Sequence, residues 1–251
     1  MESRTASAPA ADGGRRAGER AGTADVAIAA AILAGLVLRV AAARQKVLWF
    51  DEFLSANLIR HRWTDLLAAV RVEAHPPLYF VLLKLWCLPF GDGPAGLKSL
   101  SIVAGTAAAA VLADAVRRVR GDAAGIAAAL LVSLANVQIN QSSEAKPYAV
   151  LTFFLAALVW SIVRDRERPD GGSLASTWGA GAAAASTHFF GGAAAGAVAL
   201  AAVLFGSRPE RRRATTLFAI VLAVSAIWLV PAFSIPSGAA DYIRDMWVGT
   251  G

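Results

Sequence analysis

Residues 174–205 read LASTWGAGAAAASTHFFGGAAAGAVALAAVLF, 32 consecutive residues without a charged side chain. At about 1.5 Å per residue this run is too long for one comfortable crossing of a ~30 Å hydrocarbon core, so it reads as two short helices, a single strongly tilted helix being the competing reading. The break is expected at Thr187-His188, where polar side chains interrupt Ala- and Gly-rich sequence that lets helices pack closely. Outward from this run lie further apolar stretches at 26–43, 97–116, 123–140, 147–163 and 214–232. Each is near the roughly 20 residues a spanning helix requires. The expected fold class is therefore all-α: a polytopic membrane helical bundle of about seven transmembrane helices plus external juxtamembrane helices.

Composition supports the same class. The chain is 57% hydrophobic and only 17% charged over 251 residues, with mean hydropathy +0.53, a balance that excludes an ordinary soluble enzyme. The single cysteine, Cys87, forms no internal disulfide, and three histidines (His61, His75, His188) leave little for a zinc cage. A net charge of +6 and a pI near 10.1 raise nucleic acid as a partner, but the basic residues sit in short loops beside apolar runs. They read as topology signals, and no nucleic-acid partner is expected.

Residues 1–25 are rich in Ala, Gly, Arg and Ser without apolar periodicity and read as a disordered cytoplasmic tail. The 26–43 stretch reads as an uncleaved span in preference to a signal peptide, because other spans follow it. Three loops are basic: Arg117-Arg118-Val119-Arg120, the Arg164/Arg166/Arg168 group, and Arg208 with Arg211-Arg212-Arg213. If all three are cytoplasmic, the turn at 141–146 and the break near 188 face outside, and parity holds only if 174–205 is a hairpin. The 76–90 segment is apolar but short and contains Lys84; if it crosses, Asp51 and Glu144 fall on opposite membrane faces, and the functional reading takes it as a short non-spanning helix. Residues 44–96 then form one large extracytoplasmic loop, within a membrane-embedded domain running from 26 to 251. Trp63, Leu66, Leu67 and Val70 in that loop follow helical spacing, as in a helix lying at a membrane surface.

On this topology the chemistry-bearing residues collect on the outer side. Asp51-Glu52 can supply a general base, and equally can complement the dipole of a helix starting near Phe53. Pro76-Pro77 stiffens a helix entrance with His75 at its rim, a plain helix start being the alternative. Lys98 and Lys146 suit a phosphate as well as they suit lipid headgroups. Tyr148 fits an interface belt, and His188 a hydrogen-bonded turn position.

The order Trp49-Phe50-Asp51-Glu52, His75-Pro76-Pro77-Leu78-Tyr79, Leu97-Lys98-Ser99-Leu100 with Gly105, then Gln141 to Tyr148 resembles the GT-C membrane glycosyltransferases. It is most similar to bacterial relatives of protein O-mannosyltransferases and aminoarabinose transferases, over about residues 47–205. The resemblance implies Asp51 as catalytic base or acceptor-positioning carboxylate, with Glu52 and Glu144 shaping the site. It implies that Lys98 and Lys146, where the family commonly has Arg, bind the lipid-linked phosphate as point charges. It places Tyr148, His75 and His188 near substrate. A divalent metal ion, used by some members, is a possible cofactor, with His75 and the carboxylates as candidate ligands; the metal set itself is left unknown. Family members usually continue through further spans, so the chain is expected to be C-terminally short.

The expected function is inverting transfer of a sugar from a polyprenyl-phosphate donor to an acceptor hydroxyl of a glycan, lipid or protein. The site is placed at the extracytoplasmic face of a bacterial plasma membrane, in contact with membrane lipid and with the N-terminus cytoplasmic. The alternatives are a multi-pass transporter or lipid flippase, with its charges strung along a pathway, and a non-catalytic membrane partner of a cell-envelope enzyme.

Overall fold

The computed structural model describes residues 10–72, 75–167 and 174–233, which form eleven helices and no strand. In chain order they are α1 (Ala10–Gln45), α2 (Phe50–Arg60), α3 (Trp63–Val72), α4 (Leu78–Phe90), α5 (Pro94–Arg120), α6 (Asp122–Leu134), α7 (Asn136–Ser142), α8 (Pro147–Glu167), α9 (Leu174–Thr187), α10 (Phe189–Phe205) and α11 (Arg208–Phe233). The chain is an all-α polytopic membrane bundle. Four helices have the length and apolarity to cross a membrane: Gly22–Gln45 within α1, α5, α8, and Arg208–Val230 within α11. The pair α6 and α7, bent by 56° at Ala135, makes a fifth if taken as one broken span. The arms α9 and α10 have 14 and 17 residues, each below the roughly 20 of a full crossing, so the expected seven spans are not all met by length.

The helix boundaries follow from local chemistry. Pro94 opens α5 at a position where its missing amide costs nothing. Gly121, at φ 82, closes it, and Arg117, Arg118 and Arg120 in the last turn complement the helix dipole. Helix begins at Ala10, inside the stretch read as disordered, because Ala, Arg and Glu are strong helix formers that extend the turn nucleated by the apolar span. Residues 1–9 of that tail lie outside the described residues.

The 174–205 run folds as the expected hairpin. His188 is extended (φ −160, ψ 151) between α9 and α10, and the start of α9 (Leu174, Thr177, Trp178) lies beside the end of α10 (Val198, Ala199, Ala202). Gly191 makes the tight return possible. A Cβ there would meet the backbone carbonyl of Ala184 and sit 2.7 Å from a methyl of Leu151. Backbone cannot step aside as a flexible side chain can, so Gly191→Ala is expected to destabilise the protein by about 1–3 kcal/mol. A lowered melting temperature in detergent checks this, and an unchanged one would contradict the close approach.

The three basic loops gather at one end of the bundle. Arg117 pairs with Asp25 and with Asp122 (2.6 Å), Arg118 with Asp114 (2.7 Å) and Glu167 (3.0 Å), and Arg166 with Glu210 (2.8 Å). Arg168 lies outside the described residues. At the opposite end α2, α3 and α4 pack on the starts of α5 and α8 around Leu66, Val70, Tyr79, Leu83 and Leu97, each at most 1% exposed. The apolar stripe of α3 thus divides: Leu66 and Val70 face the protein, whereas Trp63 and Leu67 stay open. Lys84, the charge in the apolar α4, donates to the carbonyls of Ile59 and His61 and so ends α2.

Candidate functional site

The acidic pair opens α2. Trp49 is the extended residue before the helix, and Asp51 and Glu52 lie in the first turn, where negative charge meets the free amides. Helical geometry then sends the two neighbouring carboxylates in different directions. Glu52 is fully buried, and its Oε1 accepts from the Ala145 amide (2.7 Å) while Oε2 accepts from the Trp49 amide (3.2 Å). It ties the start of α2 to the turn between α7 and α8. Asp51 remains half exposed (55% of its side chain), with Oδ2 3.0 Å from Lys146 Nζ.

Lys146 is the centre of the cluster. Its ammonium lies 3.0 Å from Asp51, 3.6 Å from Glu144 Oε2 and 3.9 Å from the centre of the Trp49 ring. Glu144 in turn pairs through Oε1 with Lys46 Nζ (2.8 Å), which also reaches Asn140 Oδ1 (3.4 Å). Two carboxylates from distant parts of the chain therefore face one another across lysines, in a mouth that is only partly buried.

Lys98, on α5, makes its described contacts with the end of α1. It is 2% exposed and donates to the carbonyls of Lys46 (2.6 Å) and Ala43 (3.4 Å), so it caps the end of α1 instead of facing the mouth. Nearby, Ser101 Oγ donates to the Lys146 carbonyl (3.4 Å) and ties α5 to the turn.

His75, Tyr148 and His188 form an aromatic group beside this cluster. The His188 ring is 5.3 Å from Tyr148 and 6.1 Å from His75, centre to centre, and Tyr148 stands two residues after Lys146. At the hairpin tip, His188 Nδ1 accepts from the Phe190 amide (3.1 Å), which caps α10 and requires a neutral ring with its proton on Nε2. Burial first, and the charge of His75 second, hold the His188 imidazole below its ordinary value of 6.5. Its folded pKa is thus below the unfolded one, so its stabilising effect is complete above about 6.5 and is lost as pH falls from there toward the folded value. Wild-type protein is expected to melt at lower temperature as pH drops through this window. His188→Asn, which keeps a capping oxygen but does not titrate, is expected to lose that component of the pH dependence.

Among the described residues no three carboxylate, imidazole or thiol groups converge as a metal cage. The carboxylates at the mouth face lysines, a donor set that does not fit a divalent ion. A cavity of about 360 Å³ lies at the basic end, between α8, α9, α10 and α11, with Asp165 bonded to Thr177 inside it. It is remote from the acidic mouth, and charge and geometry, not volume, make the mouth the candidate site.

Sequence reasoning passed over two side chains. Lys46 carries no signal beyond a charge just after an apolar run, although among the described residues it is the closest cation to Glu144. Arg39 was absorbed into the first span, although it is fully buried and spans three elements; an arginine inside an apolar run was the available signal.

Comparison with known families matches residues 74–235 to the family described as dolichyl-phosphate-mannose-protein mannosyltransferase. That stretch includes His75, Lys98, Glu144, Lys146, Tyr148 and His188, and starts after Asp51 and Glu52. No curated protein and no solved structure matches the chain.

Proposed function

The chain belongs to the dolichyl-phosphate-mannose-protein mannosyltransferase family, and on that premise we propose that it transfers a sugar from a polyprenyl-phosphate donor to an acceptor hydroxyl, with inversion. The family makes it a glycosyltransferase of the GT-C type. The donor, the stereochemistry and the membrane face are the finer part of the reading. The observation that carries them is the meeting of Asp51 and Glu144 around Lys146 in a half-open mouth at one end of the bundle.

In this mechanism the donor phosphate docks on Lys146, with Lys46 adjacent, and competes with Asp51 for the ammonium. Asp51, released from its ion pair and open to solvent, takes the proton of the acceptor hydroxyl. The acceptor oxygen forms its bond to the anomeric carbon as the bond from that carbon to the phosphate oxygen breaks. The polyprenyl phosphate leaves with its charge stabilised by the lysines. Glu52 holds the two halves of the mouth together, and Tyr148, His188 and His75 offer ring faces to the sugar. Lys98 supports the mouth from behind.

The basic loops, all at the far end, favour a cytoplasmic position for that end and an extracytoplasmic one for the mouth. Because α1 begins at the basic end, where Asp25 meets Arg117, the N-terminus is then cytoplasmic. Asp51 and Glu144 meet in one mouth and are not strung across the bilayer, which speaks for a transferase over a transporter.

Release of polyprenyl phosphate from a polyprenyl-phosphate sugar in purified membranes tests the reading. Lys146→Ala is expected to lower this release by about 10²-fold or more, the scale of removing one charge-stabilising donor. Lys146→Arg, which keeps the charge, is expected to retain most of it. Equal activity in both variants would remove the phosphate role.

A further inference from the structure

We infer that Arg39 is a positioning residue that pins the 141–148 turn, and with it Glu144 and Lys146, to the break between α6 and α7; the catalytic consequence rests on the transferase reading above. The break itself poses the problem. Ala135 is extended (φ −59, ψ 125), so no helical amide reaches the carbonyls of Val132 and Ser133 across it. Buried carbonyls without donors are costly, and the lipid phase offers no water to satisfy them.

Arg39 supplies the donors. Nη1 donates to the Ser133 carbonyl and Nη2 to the Val132 carbonyl, both at 3.0 Å, while Nε donates to Ser142 Oγ at 3.2 Å. One planar guanidinium thus grips the end of α6 on one edge and the end of α7 on the other, which a lysine cannot reproduce. Ser142 passes the constraint on. Its hydroxyl donates to the Gln138 carbonyl (2.7 Å), and the next four residues are Ser143, Glu144, Ala145 and Lys146. Gly105 of α5 leaves room for the contact: a Cβ there would collide with Ser142 Oγ and lie 3.3 Å from Arg39 Nε. Arg39 is 0% exposed and its three partners are neutral oxygens, so it is not itself in reach of a substrate.

The test reads the turn without reference to chemistry. Ser143 is 0% exposed, so a Ser143→Cys reporter in a Cys87→Ser background is shielded from maleimide in detergent. Adding Ser142→Ala, which leaves Arg39 on the α6 carbonyls, is expected to raise the labelling rate about tenfold, the scale of one lost charge-assisted hydrogen bond when the segment must open to react. Arg39→Met is expected to raise it further and Arg39→Lys to fall between, and donor turnover in the reporter-free variants is expected to fall in the same order. If Arg39→Met does not fold, Ser142→Ala and Arg39→Lys carry the comparison. Parental labelling in Ser142→Ala would overturn the inference and leave Arg39 a helix cap alone. Faster labelling together with no release of polyprenyl phosphate by the folded wild-type protein would instead leave the pinning standing and remove the transferase reading.

Discussion

Asp51→Asn is expected to abolish most sugar transfer, by about 10²- to 10⁴-fold, the usual contribution of a general base. The fold is expected to survive it. The Asp51 side chain is 55% exposed and its one described partner is Lys146, so the lost ion pair lies in the range of about 0–1 kcal/mol measured for exposed pairs. Asn keeps the size and the polarity but takes no proton, which separates base chemistry from packing. The measurement is turnover of a polyprenyl-phosphate sugar in purified membranes, paired with a melting curve in detergent. Normal transfer by a folded Asn variant would end the assignment of Asp51 as base.

Glu52→Ala is expected to produce the largest loss of stability at the mouth. The fully buried carboxylate accepts from two backbone amides, Ala145 at 2.7 Å in a buried bond and Trp49 at 3.2 Å in a partly buried one. Removing it orphans the buried Ala145 amide, at about 1–3 kcal/mol for a buried unsatisfied donor, and loosens the partly buried start of α2 as well. Against a typical total of about 5–15 kcal/mol that is a severe change. Glu52→Gln keeps one acceptor oxygen but turns an amide NH2 toward the other donor, so an intermediate loss is expected. Its melting temperature should lie between those of wild type and Glu52→Ala. An unshifted melting temperature for Glu52→Ala would show that the tie between α2 and the 143–146 turn does not bear on stability.

These two neighbours illustrate what a sequence conceals. Asp51 and Glu52 are adjacent acidic residues in the first turn of a helix, and nothing in their spacing distinguishes a solvent-facing base from a buried tie. Successive residues on a helix are separated by about 100°, so one faces the mouth while the other faces the core. Which is which depends on where the 143–146 turn arrives, and that turn is distant in the chain. Lys98 and Lys146 show the same limit. Both are lysines near the ends of apolar runs, yet one caps α1 and the other holds two carboxylates.

The membrane character, the all-helical class and the hairpin broken at His188 follow from the chain alone, because apolar run length and polar interruptions act within a few residues of one another. So does the collection of the basic loops at one end, since helix parity propagates along the chain without reference to packing. The meeting of α2 with the turn after α7, the diversion of Lys98 to the end of α1, and the grip of Arg39 on the α6–α7 break arise only when distant helices pack. Their causes are unsatisfied carbonyls and amides, and those exist at particular places only after the helices have bent, ended and come together.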